Sequence, residues 1–124
     1  MFGTMLFWVF IFILVLIMFI YNVTVNITDD IQNEWLTWMK QTHIPDVIKT
    51  GCFIDSQMLK VLYVDDEGHT YSMQYKFLEM VDIEKYQKEF APKLQAEYKT
   101  KFEGKYAAFR TLLQIVDWLK PLRH

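Results

Sequence analysis

The chain changes its hydrophobic rhythm five times, and each change marks an element. From Met5 to Tyr21 there is no rhythm at all: 17 consecutive residues are apolar or aromatic. A helix needs ~20 such residues to cross a bilayer core, so residues 1–20 read as a single-pass N-terminal transmembrane anchor. No small-residue cleavage site follows and no Lys or Arg precedes, which argues against a secretory signal. Tyr21 to Ile27 then alternates strictly, with Tyr21, Val23, Val25 and Ile27 on one side and Asn22, Thr24 and Asn26 on the other. That is the pattern of a half-buried strand. It begins where the apolar run stops, with no polar linker between them, and Met18 stands just before it. A second reading therefore takes the first 17 residues as an over-extended start and Met18 as the true one. Residues 21–124 form the folded domain in either case. The first reading places the protein in the membrane, in contact with a lipid bilayer; the second places it in the cytoplasm.

Beyond the strand the period lengthens. Thr28 or Asp29 is placed to cap a helix whose stripe is Ile31, Trp35, Trp38 and Met39. Proline at 45 disfavours helical geometry at Ile44, so the helix is expected to end near His43. A short helix should follow from Pro45 to Gly51, with proline at its first position and glycine past its end. Cys52 to Val64 reads as a strand, Asp65 to Gly68 as a tight polar turn, and His69 to Phe77 as the second arm of a hairpin. A second long helix is expected from an Asp82 cap, with Ile83, Tyr86, Phe90, Leu94, Tyr98 and Phe102 inward. Its opposite face carries Glu84 with Lys88, Glu89 with Lys93 and Glu97 with Lys101, the pairing of a solvated helix surface. Pro92 should kink or divide it. Tyr106 to Leu119 is a last strand-like stretch.

The predicted order is thus β-α-β-β-α-β, an α+β, ferredoxin-like arrangement with both helices on one face of an antiparallel sheet. Right-handed crossovers place the first and third strands in the middle. Asn22, Thr24 and Asn26 should face away from the helices beside Thr70, Ser72, Gln74 and Lys76. Either phase of the last strand adds apolar residues to that face. Such a face suits pairing with a second copy, so a homodimer is expected.

Composition narrows the function. With 13 Lys+Arg against 15 Asp+Glu, a formal net charge of −2 excludes the basic field that nucleic acid requires. The only cysteine, Cys52, permits no internal disulfide and no thiolate metal site. His43, His69 and His124 are scattered and lack ligand spacing, so no metal is indicated. No glycine-rich phosphate loop and no nucleophile elbow appear, and no cofactor is indicated. The sequons at Asn22 and Asn26 are explained by strand alternation. His43, at a helix C-terminus whose dipole favours its protonated form, is more simply a cap than a general base.

Several stretches resemble a small bacterial family of stand-alone domains of unknown function. They are Ile20 to Ile27, Glu34-Trp-Leu-Thr-Trp-Met-Lys40, His43-Ile-Pro45, Tyr71-Ser-Met-Gln-Tyr75, Ala91-Pro-Lys-Leu94 and Ala108-Phe-Arg-Thr111. The resemblance runs from Ile20 to the C-terminus and implies a dimeric α+β barrel with no assigned activity. Members begin just before the first strand, which favours the over-extended start.

Two functions follow. The favoured one is a non-catalytic homodimeric module, membrane-anchored if residues 1–20 are translated. The alternative, by analogy with similar barrels, is a cofactor-independent or haem-linked monooxygenase. Asn22 or Asn26, Trp35 or Trp38, and His43 would then position the substrate. Neither the residues nor the resemblance decides whether the protein is an enzyme.

Overall fold

The computed structural model describes residues 18–65 and 67–117. Four strands form one antiparallel sheet in the order β2-β3-β1-β4: β1 (Phe19–Ile27), β2 (Asp55–Lys60), β3 (His69–Phe77) and β4 (Tyr106–Gln114). The first and third strands hold the centre, as right-handed crossovers require. Both helical segments lie on one face. Phe19 and Ile20 are already paired with β3 and β4, so the last residues of the apolar run belong to the sheet and not to a membrane helix. Residues 1–17, which carry the anchor and bilayer expectations, lie outside the described residues. Among the described residues no helix is long and apolar enough to cross a membrane.

The alternation in β1 is realised as read. Tyr21, Val25 and Ile27 are buried against the helices, while Asn22, Thr24 and Asn26 point to the opposite face. Trp35, Met39, Val47, Ile83, Leu94 and Phe102 close the core from the helical side, and Tyr71, Met73, Tyr75 and Phe77 of β3 from below. Cys52 and Phe53 are buried ahead of β2 rather than within it, so the strand expected from Cys52 to Val64 is confined to six residues. The connection from Val61 to Gly68 is longer than the tight turn expected at its end. Gly68 has φ +80°, and a Cβ there would sit 2.2 Å from the Ile27 carbonyl oxygen. Only glycine fits.

The first helical segment does not end at His43. A 3₁₀ turn (Asp29–Ile31) leads into α1 (Gln32–Trp38), a π turn (Met39–His43) and α2 (Ile44–Lys49) without a break. Ile44 is helical, with φ −62° and ψ −46°. The expected boundary failed because proline's conflict with the preceding turn was met by widening that turn. The Ile44 N–H bonds the Met39 carbonyl five residues back, leaving room for the Pro45 ring.

The second segment repeats the device. α3 (Met80–Lys85) passes through a π turn (Tyr86–Phe90) into α4 (Ala91–Phe102), and the Ala91 N–H bonds the Tyr86 carbonyl just before Pro92. Its start is earlier than the expected Asp82 cap. Glu79 is the N-cap, and Asp82 completes a reciprocal capping box at the third helical position. Trp35 ties the two segments: its indole N–H donates to the Tyr98 hydroxyl at 2.5 Å.

Candidate functional site

Two places on this scaffold carry more polar chemistry than the core requires. One is the outer sheet face. Gln57 donates to Gln74 (3.1 Å), Gln74 to Ser72 (3.4 Å), Ser72 to Asn22 (2.5 Å) and Asn22 to Thr24 (3.0 Å). This line of side chains crosses β2, β3 and β1. Asn26 donates to Thr70 (3.1 Å) and to the Glu67 carbonyl (3.0 Å), fixing the loop that leads into β3. Beside the network, register places Phe109, Thr111 and Leu113 of β4 opposite Thr24, Asn22 and Ile20. Phe109 is 63% exposed and Leu113 41%. The phase of β4 is thereby fixed, and its outward set is the more apolar one.

The other place is a chamber of about 50 Å³ between the sheet and the helical segments. Its walls include Tyr21 and Val23 of β1, Met73 and Tyr75 of β3, and Met39 and His43 of the first π turn. Tyr86, Tyr98 and Gln95 come from the second segment, and Arg110 from β4. Among the described residues no Asp or Glu lines it. Both π turns contribute to the lining, Met39 and His43 from one and Tyr86 from the other. Gln95, Tyr106, Ala108 and Arg110 also line an open groove of about 390 Å³ between α4 and β4, so the chamber opens there to solvent.

His43 stacks on Trp38 (centroids 4.9 Å apart, 24°) and meets Tyr98 edge-on at 5.2 Å. It is no C-terminal cap, because the helix runs past it and the dipole argument for a protonated ring does not apply. Burial lowers its pKa to about 4, against an opposing pull from Asp46. The ring is neutral at physiological pH. Burial raises the pKa values of Tyr75, Tyr86 and Tyr98, so all three phenols stay protonated. Tyr21 is raised by burial as well, with Arg110 beside it working in the other direction.

These positions split the expected constellation. Asn22 and Asn26 lie on the outer face within a hydrogen-bonded network, and His43 lies across the sheet in the chamber. Of the expected asparagine, tryptophan and histidine, the structure brings together Trp38 and His43 and leaves both asparagines across the sheet. Trp35 is fully buried in the core. A haem does not fit either, since the space next to His43 is far smaller than a macrocycle. Sequence reasoning missed Arg110, Gln95 and the convergence of the tyrosines. The inward placement of Tyr21, Tyr86 and Tyr98 was legible, but that of Arg110 depends on the phase of an exposed strand.

A family model described as "Domain of unknown function (DUF4286)" matches residues 18–116. The chain belongs to this family. No curated protein matches it in sequence. Among solved structures, it is similar to a dimeric ferredoxin-like protein from an uncultured marine organism, with TM-score 0.65 and 12% identity. That likeness covers 82% of this chain and 98% of the other. It is also similar to SnoaB, a cofactor-independent oxygenase from Streptomyces nogalater, with TM-score 0.61 and 8% identity, over 84% and 98% of the two chains. A third is an ethyl tert-butyl ether d (ethd) family protein from Bacillus halodurans, with TM-score 0.57 and 9% identity, over 75% and 96%. At such identities these likenesses establish the ferredoxin-like fold of this DUF4286 domain.

Proposed function

We propose that this DUF4286 domain works as a homodimer joined through its outer sheet faces, with assembly rather than catalysis as that face's task. The observation that carries this reading is the pairing of a self-satisfied polar strip with exposed apolar neighbours. Gln57, Gln74, Ser72, Asn22 and Thr24 already bond to one another. Covering them would therefore orphan few donors or acceptors. Phe109 and Leu113 beside them supply the apolar area that association needs. The dimeric state of the marine ferredoxin-like protein is consistent with this arrangement on the same fold.

Sedimentation velocity on the full-length chain tests it. The wild type sediments as a dimer at micromolar concentration, and Phe109→Arg weakens the dimer at least about tenfold by burying an unpaired cation. Phe109 lies outside the core cluster, so the variant's thermal midpoint, extrapolated to low concentration, stays unchanged. A monomeric wild type, or a dimer indifferent to Phe109→Arg, contradicts the proposal.

A second reading, cofactor-independent oxygenation, is favoured by one observation: the chamber places a neutral imidazole among protonated phenols in a pocket that opens to solvent. His43 would serve there as the proton acceptor. Oxygen uptake with electron-rich phenols that disappears in His43→Phe would support it, and no uptake by a ligand-binding wild type would remove it.

A further inference from the structure

Among the described residues Arg110 is the one Lys or Arg that lines the chamber. It projects from β4 on the helical side of the sheet, paired in register with Val23, and lines both the chamber and the groove outside it. Among the described residues no carboxylate pairs with it, and the Tyr21 hydroxyl is its hydrogen-bonding neighbour. Its charge bears on His43, Tyr21, Tyr86 and Tyr98, all of which line the chamber. Within the chamber, Tyr75, Tyr86 and His43 have no hydrogen-bond partner among the described residues, yet none of their polar atoms is sealed from solvent-sized space. Polar atoms in such surroundings take their partners from whatever fills the cavity.

We propose that the chamber is a binding site for a small organic monoanion, a short-chain carboxylate, with its charged head at the mouth and its body inside. The Arg110 guanidinium supplies a planar fork that suits a carboxylate, and Gln95 stands at the same mouth with an amide donor. Among the described residues no Asp or Glu lines the chamber, and the groove outside it carries Arg110 and Lys99 against the single acid Glu103, so the mouth is net positive. The walls are Val23, Met39, Met73 and tyrosine rings, which suit an apolar body. At about 50 Å³ the chamber holds only a few heavy atoms, so a body of about two to four carbons is the size expected, with the head remaining in the groove. The site rests on the chamber and Arg110 alone, and requires neither self-association nor oxygen chemistry.

The test is a titration of the full-length chain by isothermal calorimetry and ligand-observed NMR, using propionate, its neutral isostere propionamide, and inorganic phosphate. Propionate is expected to saturate in the millimolar range or tighter, as suits so few heavy atoms, and propionamide to bind at least about tenfold more weakly. Arg110→Gln should weaken propionate at least about tenfold, and Arg110→Lys, which keeps the cation, should recover part of the loss. Val23→Phe, which fills the chamber and leaves Arg110 in place, should also abolish binding. Absence of saturable propionate binding overturns the proposal, as does equal binding by Arg110→Gln. Phosphate competing as well as propionate, with Val23→Phe without effect, would reduce Arg110 to a surface cation and overturn it too.

Discussion

His43 and Gly68 show how single residues take on roles that their local sequence does not announce. The His43 ring sits below its ordinary pKa because it is shielded from water, and its folded value of about 4 lies under the unfolded value of 6.5. The unfolded chain therefore binds the extra proton first as pH falls. Stability is full above pH 6.5, declines between 6.5 and about 4, and levels off below, a loss of about 2 kcal/mol given partial solvent access. Urea unfolding across this range should show the slope, and His43→Gln should flatten it; an unchanged slope in the variant would assign it to other groups. Gly68 is fixed by two independent constraints, a left-handed backbone and contact with the Ile27 carbonyl. Gly68→Ala should cost roughly 2 kcal/mol or more in the same assay. A cost near zero would mean that the loop into β3 is free to rearrange.

At the level of elements, the strands were easier to read than the helices. The alternation of β1 was legible because one face is sealed by the core and the other is not, so each position carries its own burial signal. Helix ends were less legible. Pro45 and Pro92 announce a break, but the chain meets each by a π turn with its wide hydrogen bond at the residue just before the proline, Ile44 or Ala91. Nothing in composition separates a broken helix from a widened one. The two segments are coupled by the Trp35 N–H bond to Tyr98, and Trp35 also packs on Tyr71 of β3 with ring centroids 4.9 Å apart. Trp35→Phe removes a buried donor and leaves a void, and should cost about 2–3 kcal/mol in urea unfolding. A loss below about 0.5 kcal/mol would show that the segments dock without this bond.

For the whole molecule, the fold separates two kinds of surface on opposite sides of one sheet. The helices enclose a small chamber; the outer face is left to a polar strip with apolar flanks. Fold class and the orientation of Asn22, Thr24 and Asn26 were legible from pattern alone. The chamber was not, because residues far apart in the chain assemble it, and Arg110 enters it only through the pairing of β4 with β1. An exposed strand carries no burial signal by which to read its phase. The residues expected to act together in an oxygenase are only partly brought together: Trp38 stacks on His43, while Asn22 and Asn26, grouped with His43 by residue type, lie on the other side of the sheet.

The central claim is that two copies meet sheet to sheet with their helices outward. The most direct measurement is a double electron-electron resonance distance between spin labels at Glu97→Cys in the two copies, since Glu97 is exposed on α4 and Cys52 is buried. Stacked sheets ~10 Å apart, each backed by a helical layer, place these labels beyond about 40 Å from each other. A distance below about 25 Å would put the helices at the interface, and the absence of any dipolar signal would mean no dimer; either contradicts the account.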